Sequence, residues 1–250
     1  MSRYIKEFST SGDVQTAVDN GTLSKPYVAY INSTSGVDFN TIVDYKTIPL
    51  TIKVTSPGTI RMHGRANTTY SLNGGSFTYL PNASYTTINV VQGDKIIFKN
   101  TDATYGATFK ESTAGFIVYG NICYYNGGTA GSYQEMFKSC TGLTDASNLI
   151  LPASTVAQGC YDMFNGCTNL TTAPVLPATT LANKCYYQMF AGCRNLNYIK
   201  CLATDISATD CTNFWVYNVQ TTSGTFVTPS STNWSTGVSG IPTNWTRVNA

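Results

Sequence analysis

The hydrophobic pattern changes period near the middle of the chain. Before residue 121 it alternates, as half-buried strands do. Leu50-Thr51-Ile52-Lys53-Val54-Thr55 is such a run, ended by Ser56-Pro57-Gly58. Residues 70–79 read as a hairpin about Asn73-Gly74, residue types suited to a tight two-residue turn. Residues 87–91 and 95–99 read as a second hairpin closed by Gln92-Gly93-Asp94, and 116–120 as a last strand. Regularly spaced short strands predict a small β-sandwich over 48–121. Residues 1–47 differ. Ser11 caps a predicted short helix over 13–18, Asn20-Gly21 stops it, and 27–31 form a candidate strand. The segment is too short to fold alone. It is therefore expected to pack on the sandwich or to dock on another protein.

Beyond residue 121 a repeat governs the pattern. Tyr133-Gln134-Glu135-Met136-Phe137-Lys138-Ser139-Cys140 recurs as Cys160-Tyr161-Asp162-Met163-Phe164-Asn165-Gly166-Cys167. It recurs again as Cys185-Tyr186-Tyr187-Gln188-Met189-Phe190-Ala191-Gly192-Cys193. Met136, Met163 and Met189 lie 27 and 26 apart, and Cys140, Cys167 and Cys193 keep that spacing. A degraded fourth copy runs through Cys211 and Trp215. Leu181, Cys185 and Met189 fall at i, i+4, i+8, which predicts a short helix capped by Thr179-Thr180 and stopped by Gly192. Leu170 and Leu196 turn inward, and a short extended piece such as 171–176 follows. One unit cannot bury its own apolar face, but stacked units share a core. The expected fold class is α+β: an N-terminal arm (1–47), a β-sandwich (48–121), and a short solenoid with one helix and one short strand per repeat (122–250). Residues 206–250, with Trp215, Trp234 and Trp245, are its expected cap.

The pattern CYxxMFxGCxxLTxAPxLPATTLA, closest over roughly 130–205, resembles the cysteine-containing bacterial leucine-rich repeat of the BspA type. Such repeats occur in surface proteins of Bacteroides-like gut bacteria, and related ones in proteins of their phages. The N-terminal opening is similar, less specifically, to those that precede variable modules in gut-phage proteins. The resemblance implies a leucine-rich-repeat solenoid used for adhesion or recognition. It carries no catalytic residues.

Composition narrows the function. Only 11% of residues are charged, against about 25% in typical soluble proteins. A net charge of +2 gives no field to steer nucleic acid or an acidic membrane. There is one histidine, His63, and there are three glutamates, Glu7, Glu111 and Glu135. A phosphate-binding GxxxxGK[ST] loop and a GxGxxG fingerprint are both missing. No apolar run is long enough for a transmembrane helix. Residues 1–7 lack an apolar signal core, so export by a cleaved signal peptide is not expected.

Candidate chemistry is sparse. Eight cysteines without a CxxC pair, recurring once per repeat, are expected to form a buried ladder of small side chains, with Cys160 and Cys185 in a second row. Disulfides remain open, and zinc lacks clustered ligands. His63 reads as a surface strand residue or as a general base. Asp145 and Asp162 could form a glycosidase pair only if a cleft set them opposite each other. Asp205 and Asp210 could touch a cation, although no EF-hand-like run is present.

With 17 Tyr in the chain, tyrosines are the best binding signal. Tyr161 and Tyr187 precede their methionines by two and should share an outer face. Tyr133 and Tyr186 lie nearer the core. Tyr124 and Tyr125 at the junction are further candidates. Exposed tyrosine stacks on sugar faces and donates its hydroxyl. Simple packing within the repeat is the alternative use of the same residues.

The sequence therefore leads us to expect no enzyme, no cofactor and no metal. The expected role is a structural protein of a phage virion surface: a head fibre, decoration or tail accessory subunit. Residues 1–47, with Tyr4, Ile5, Phe8, Tyr27 and Tyr30, would dock it to capsid or tail proteins. The repeat would face a host-surface glycan or protein. A homo-oligomer is expected, a trimer in the fibre form, without nucleic-acid partners or membrane insertion. It would assemble in the host cytoplasm. A bacterial cell-surface adhesin of the same repeat family is the alternative.

Overall fold

The computed structural model describes residues 5–8, 28–31, 49–64, 68–100, 107–122, 132–220 and 222–250. Among these residues there is no helix. The expected α+β class, with a helix in every repeat, is therefore wrong: the described chain is built of strands and turns. The predicted helix over 13–18 lies outside the described residues.

Two strands stand near the N-terminus, β1 (Ile5–Phe8) and β2 (Val28–Ile31), paired in parallel. The next seven are β3 (Thr51–Ser56), β4 (Gly58–Met62), β5 (Thr68–Leu72), β6 (Thr78–Tyr79), β7 (Thr86–Val90), β8 (Lys95–Asn100) and β9 (Gly115–Asn121). The Asn73-Gly74 hairpin forms. Both residues have positive φ (52° and 77°), as a type I′ turn requires, and Gly75 N–H donates to the Leu72 carbonyl. The second predicted hairpin does not form. β7 pairs with β4, whereas β8 lies between β3 and β5. Gln92-Gly93-Asp94 thus carries the chain from one sheet to the other. The physical reason is burial. Ile60, Met62 and Val90 on the β4–β7 ribbon share one core with Ile52, Val54, Ile96 and Phe98. A simple hairpin would leave the two apolar faces in one sheet.

The repeat builds a stack of coils. Each coil has a turn segment and an extended segment. The extended segments are β9, β10 (Leu143–Ile150), Thr172 and Leu176 as single-residue bridges, β11 (Tyr198–Lys200), β12 (Thr225–Thr228) and β13 (Thr246–Asn249), all in parallel register. β9 also pairs antiparallel with β3. One strand therefore closes the N-terminal sheet and opens the coil stack.

The turn segments replace the expected helices. In residues 156–167, the N–H groups of Gly159, Tyr161, Met163, Asn165 and Cys167 each donate to the carbonyl three residues earlier. Those between them, on Cys160, Asp162, Phe164 and Gly166, donate at 2.8–3.0 Å to Cys185, Tyr187, Met189 and Ala191 in the next coil. Half of the donors thus leave the segment, which an α-helix cannot allow. Gln158, Asp162 and Gly166 have φ of 57°, 56° and 77°. Each is the third residue of alternate turns, where a type II turn needs positive φ. The same holds for Lys184, Gln188 and Gly192, and for Asp210, Phe214 and Asn218. Left-handed φ costs a non-glycine residue about 1 kcal/mol or more. The inter-coil bonds hold these residues there.

Side chains interlock along the stack. Phe109, Phe137, Phe164 and Phe190 stack in one column, with ring centroids 5.3, 5.5 and 5.6 Å apart and planes within 19°. Trp215 stands at the backbone position of the methionines and stacks on Trp234 at 5.3 Å. Cys140, Cys167 and Cys193 each donate a thiol to the carbonyl of the column phenylalanine one coil back: Phe109, Phe137 and Phe164. Cys160 shares its inward position with Tyr133 and Tyr186, while Cys185 lies in register with Cys211.

All seven described cysteines are buried and unbridged. Burial pushes the thiols of Cys140 and Cys201 up to about 12 and that of Cys185 up to about 11. Thiolate is the reactive form. These seven are therefore expected to resist a thiol-specific disulfide reagent at mildly alkaline pH in the native protein and to react fully in denaturant. Site mapping by mass spectrometry checks this. Rapid native labelling of Cys167 would mean that the stack opens readily.

Candidate recognition face

The outer surface of the turn segments brings Tyr161 and Tyr187 together. Both occupy the position just before a left-handed residue, Asp162 or Gln188, one coil apart. The inter-coil bond from Asp162 N–H to the Tyr187 carbonyl fixes their register at 3.0 Å. Their rings stack with centroids 4.8 Å apart and planes within 2°. Both are partly exposed. Lys184 Nζ stands 6.0 Å from the Tyr187 ring centre. Partial burial raises the Tyr161 phenol above its ordinary value, and the Asp162 carboxylate adds to this. The phenol therefore stays protonated and available as a donor.

A ladder of charges runs beside this pair. Lys110 bonds to Glu135, Glu135 to Lys138 at 2.9 Å, and Lys138 to Asp162 at 2.7 Å. Burial raises the Glu135 carboxyl, but bonds from Lys110 and Lys138 outweigh it and hold the group below its usual range. Asp162 is buried and also accepts from Asn165 Nδ2. Its position serves the stack. Asp145 instead bonds the Ser147 N–H in the extended segment. The two carboxylates thus have separate local partners.

At the far end of the stack lies a cleft of about 520 Å³, lined by Arg194, Tyr217, Asn218, Val238, Pro242 and Thr243 among others. Sequence reasoning missed it. The available signal was Arg194, a charge in the column otherwise held by Thr141, Thr168 and Gln220.

The other candidate residues are dispersed. Tyr133 and Tyr186 are core residues. His63 forms a reciprocal backbone bridge with Thr108, and its ring lies 5.0 Å from Tyr85. Asp205 accepts from the Ser207 N–H and hydroxyl, and Asp210 lies 3.9 Å from Lys184. Among the described residues no group of three His, Cys, Asp or Glu could hold a metal ion. Tyr124, Tyr125, Tyr4 and Tyr27 lie outside the described residues. Ile5 and Phe8 bound β1, and Tyr30 lies on β2 in register with Glu7.

No protein-family model matches the chain, and no curated protein or solved structure shows significant similarity to it.

Proposed function

We propose that this protein is a non-enzymatic structural component of a phage virion surface, a head fibre, decoration or tail accessory subunit. It is held by residues 1–47 and presents the coil stack for adhesion to the host surface. The observation that carries the adhesive role is the Tyr161–Tyr187 stack on a partly exposed column. Two tyrosine rings held in fixed register on a partly exposed column offer aromatic edges and phenol donors, chemistry that suits a sugar. Their order costs little on binding, because the backbone ladder has already fixed them. Display on an oligomer would raise weak single-site affinity by effective concentration. The parallel β1–β2 pair supports the docking role. Two strands alone are marginally stable, and parallel sheets are normally covered on both faces.

A Tyr161→Ala/Tyr187→Ala variant is expected to keep the native fold and lose most host-cell binding, read by flow cytometry with labelled protein. Equal binding would remove the tyrosine face from the proposal. Immunogold labelling with antibody to residues 132–250 tests the location. Gold on virus particles supports the virion reading. Gold on cells with bare particles replaces it with a bacterial cell-surface adhesin.

A further inference from the structure

We infer that the cleft at the C-terminal end of the coil stack binds a carboxylate-bearing saccharide. This deepens the adhesive reading above and rests on it for the choice of a sugar. The cleft lies where the inter-coil ladder runs out. In successive coils the N–H groups of Ser139, Gly166 and Gly192 donate to carbonyls of the next coil: Asn165, Ala191 and Tyr217, at 2.7, 2.8 and 2.7 Å. Asn218 is the next member of this column and shares its positive φ. The last rung before it is the bond from Val216 N–H to the Val238 carbonyl. There the chain closes on itself, with Gly237 N–H donating to Ile241 and Gly240 N–H to Gly237. Asn218 N–H therefore has no acceptor among the described residues, and Asn218 lines the cleft. An oxygen bound there would take the place of the missing carbonyl.

The cleft supplies the charge for that oxygen. Arg194 lines it and makes no ion pair among the described residues. A guanidinium fork and a backbone N–H together match a carboxylate, which accepts charge-assisted bonds at both oxygens. The exposed Tyr217 ring, with Val238 and Pro242, gives the apolar surface that a pyranose face needs. The volume lies within the range of small-ligand sites and exceeds what a bare carboxylate requires.

The test is a titration of the isotope-labelled full chain with glucuronic acid and N-acetylneuraminic acid, followed at the Asn218 amide by heteronuclear NMR. Glucose and acetate are the comparison ligands. At least one sugar acid is expected to shift Asn218 saturably, with glucose and acetate each at least about tenfold weaker. Arg194→Ala is expected to weaken that binding by about tenfold or more while leaving distant resonances in place. Silence at Asn218 with both acids overturns the inference. Acetate binding as well as the sugar acids overturns its saccharide half. Cell adhesion separates it from the broader reading. If wild type and Arg194→Ala adhere equally, the cleft loses its role and adhesion stands. If a sugar acid binds at Asn218 but no cells are bound, the cleft stands and the adhesive reading falls.

Discussion

Phe164→Ala is expected to destabilise the protein by about 3–5 kcal/mol, the usual cost of removing a buried aromatic ring. The side chain is fully buried and stacks on both faces, against Phe137 at 5.5 Å and Phe190 at 5.6 Å. The cavity would open in the middle of a column whose backbone is fixed by bonds on both sides. Phe164 N–H donates to Met189, and the Phe164 carbonyl accepts the Cys193 thiol. Such a site collapses poorly, so the loss should fall near the upper part of that range. Chemical denaturation followed by circular dichroism measures it, with Phe164→Leu as the comparison that retains most of the volume. A loss below about 1 kcal/mol for the alanine variant would mean that the column is not close-packed.

Gly142→Ala is expected to cost about 3 kcal/mol, at the upper end of overpacking penalties. A Cβ on Gly142 would be driven into the carbonyl group of Ala114. That backbone has little room to retreat, because the N–H groups of Thr113 and Ala114 both donate to the Thr59 carbonyl. Gly142 also accepts the Phe116 N–H at 2.9 Å, the bond that begins the β9–β10 pairing. The expected signature is local as well as global: hydrogen exchange at the Phe116 amide should accelerate more than exchange at Phe190, three coils away. Uniform acceleration at both sites would show that the joint between sheet and stack is not a separate weak point.

Much of this architecture was legible in the sequence. The 27- and 26-residue spacing of Met136, Met163 and Met189 placed equivalent residues in neighbouring coils. It also put Tyr161 beside Tyr187. The helical expectation fails for a definite reason. Cys160, Met163, Phe164 and Cys167 are buried, an i, i+3, i+4, i+7 pattern that an amphipathic helix shows too. A chain of turns with a left-handed residue at every fourth position returns its inward side chains at nearly the same interval. Gly166 and Gly192 suit both readings, since a helix stop and the third residue of a type II turn each need positive φ. The distinguishing signal was the recurrence of polar residues or glycine four apart, as at Gln158, Asp162 and Gly166. The cleft was not legible, because Arg194, Tyr217 and Val238 are separated along the chain and meet only when the last coil departs from the ladder.

By itself the sequence determined the repeat, its period, the inward residues and the alternating strands of the N-terminal half, because burial imposes those patterns wherever the chain goes. Tertiary structure alone decided between helix and turn spiral, the partner of β7, and the end of the ladder. Each depends on where a backbone N–H finds its acceptor. For Cys160, Asp162, Phe164 and Gly166 that acceptor lies 25 residues further on, in the next coil, and local side-chain pattern does not encode it.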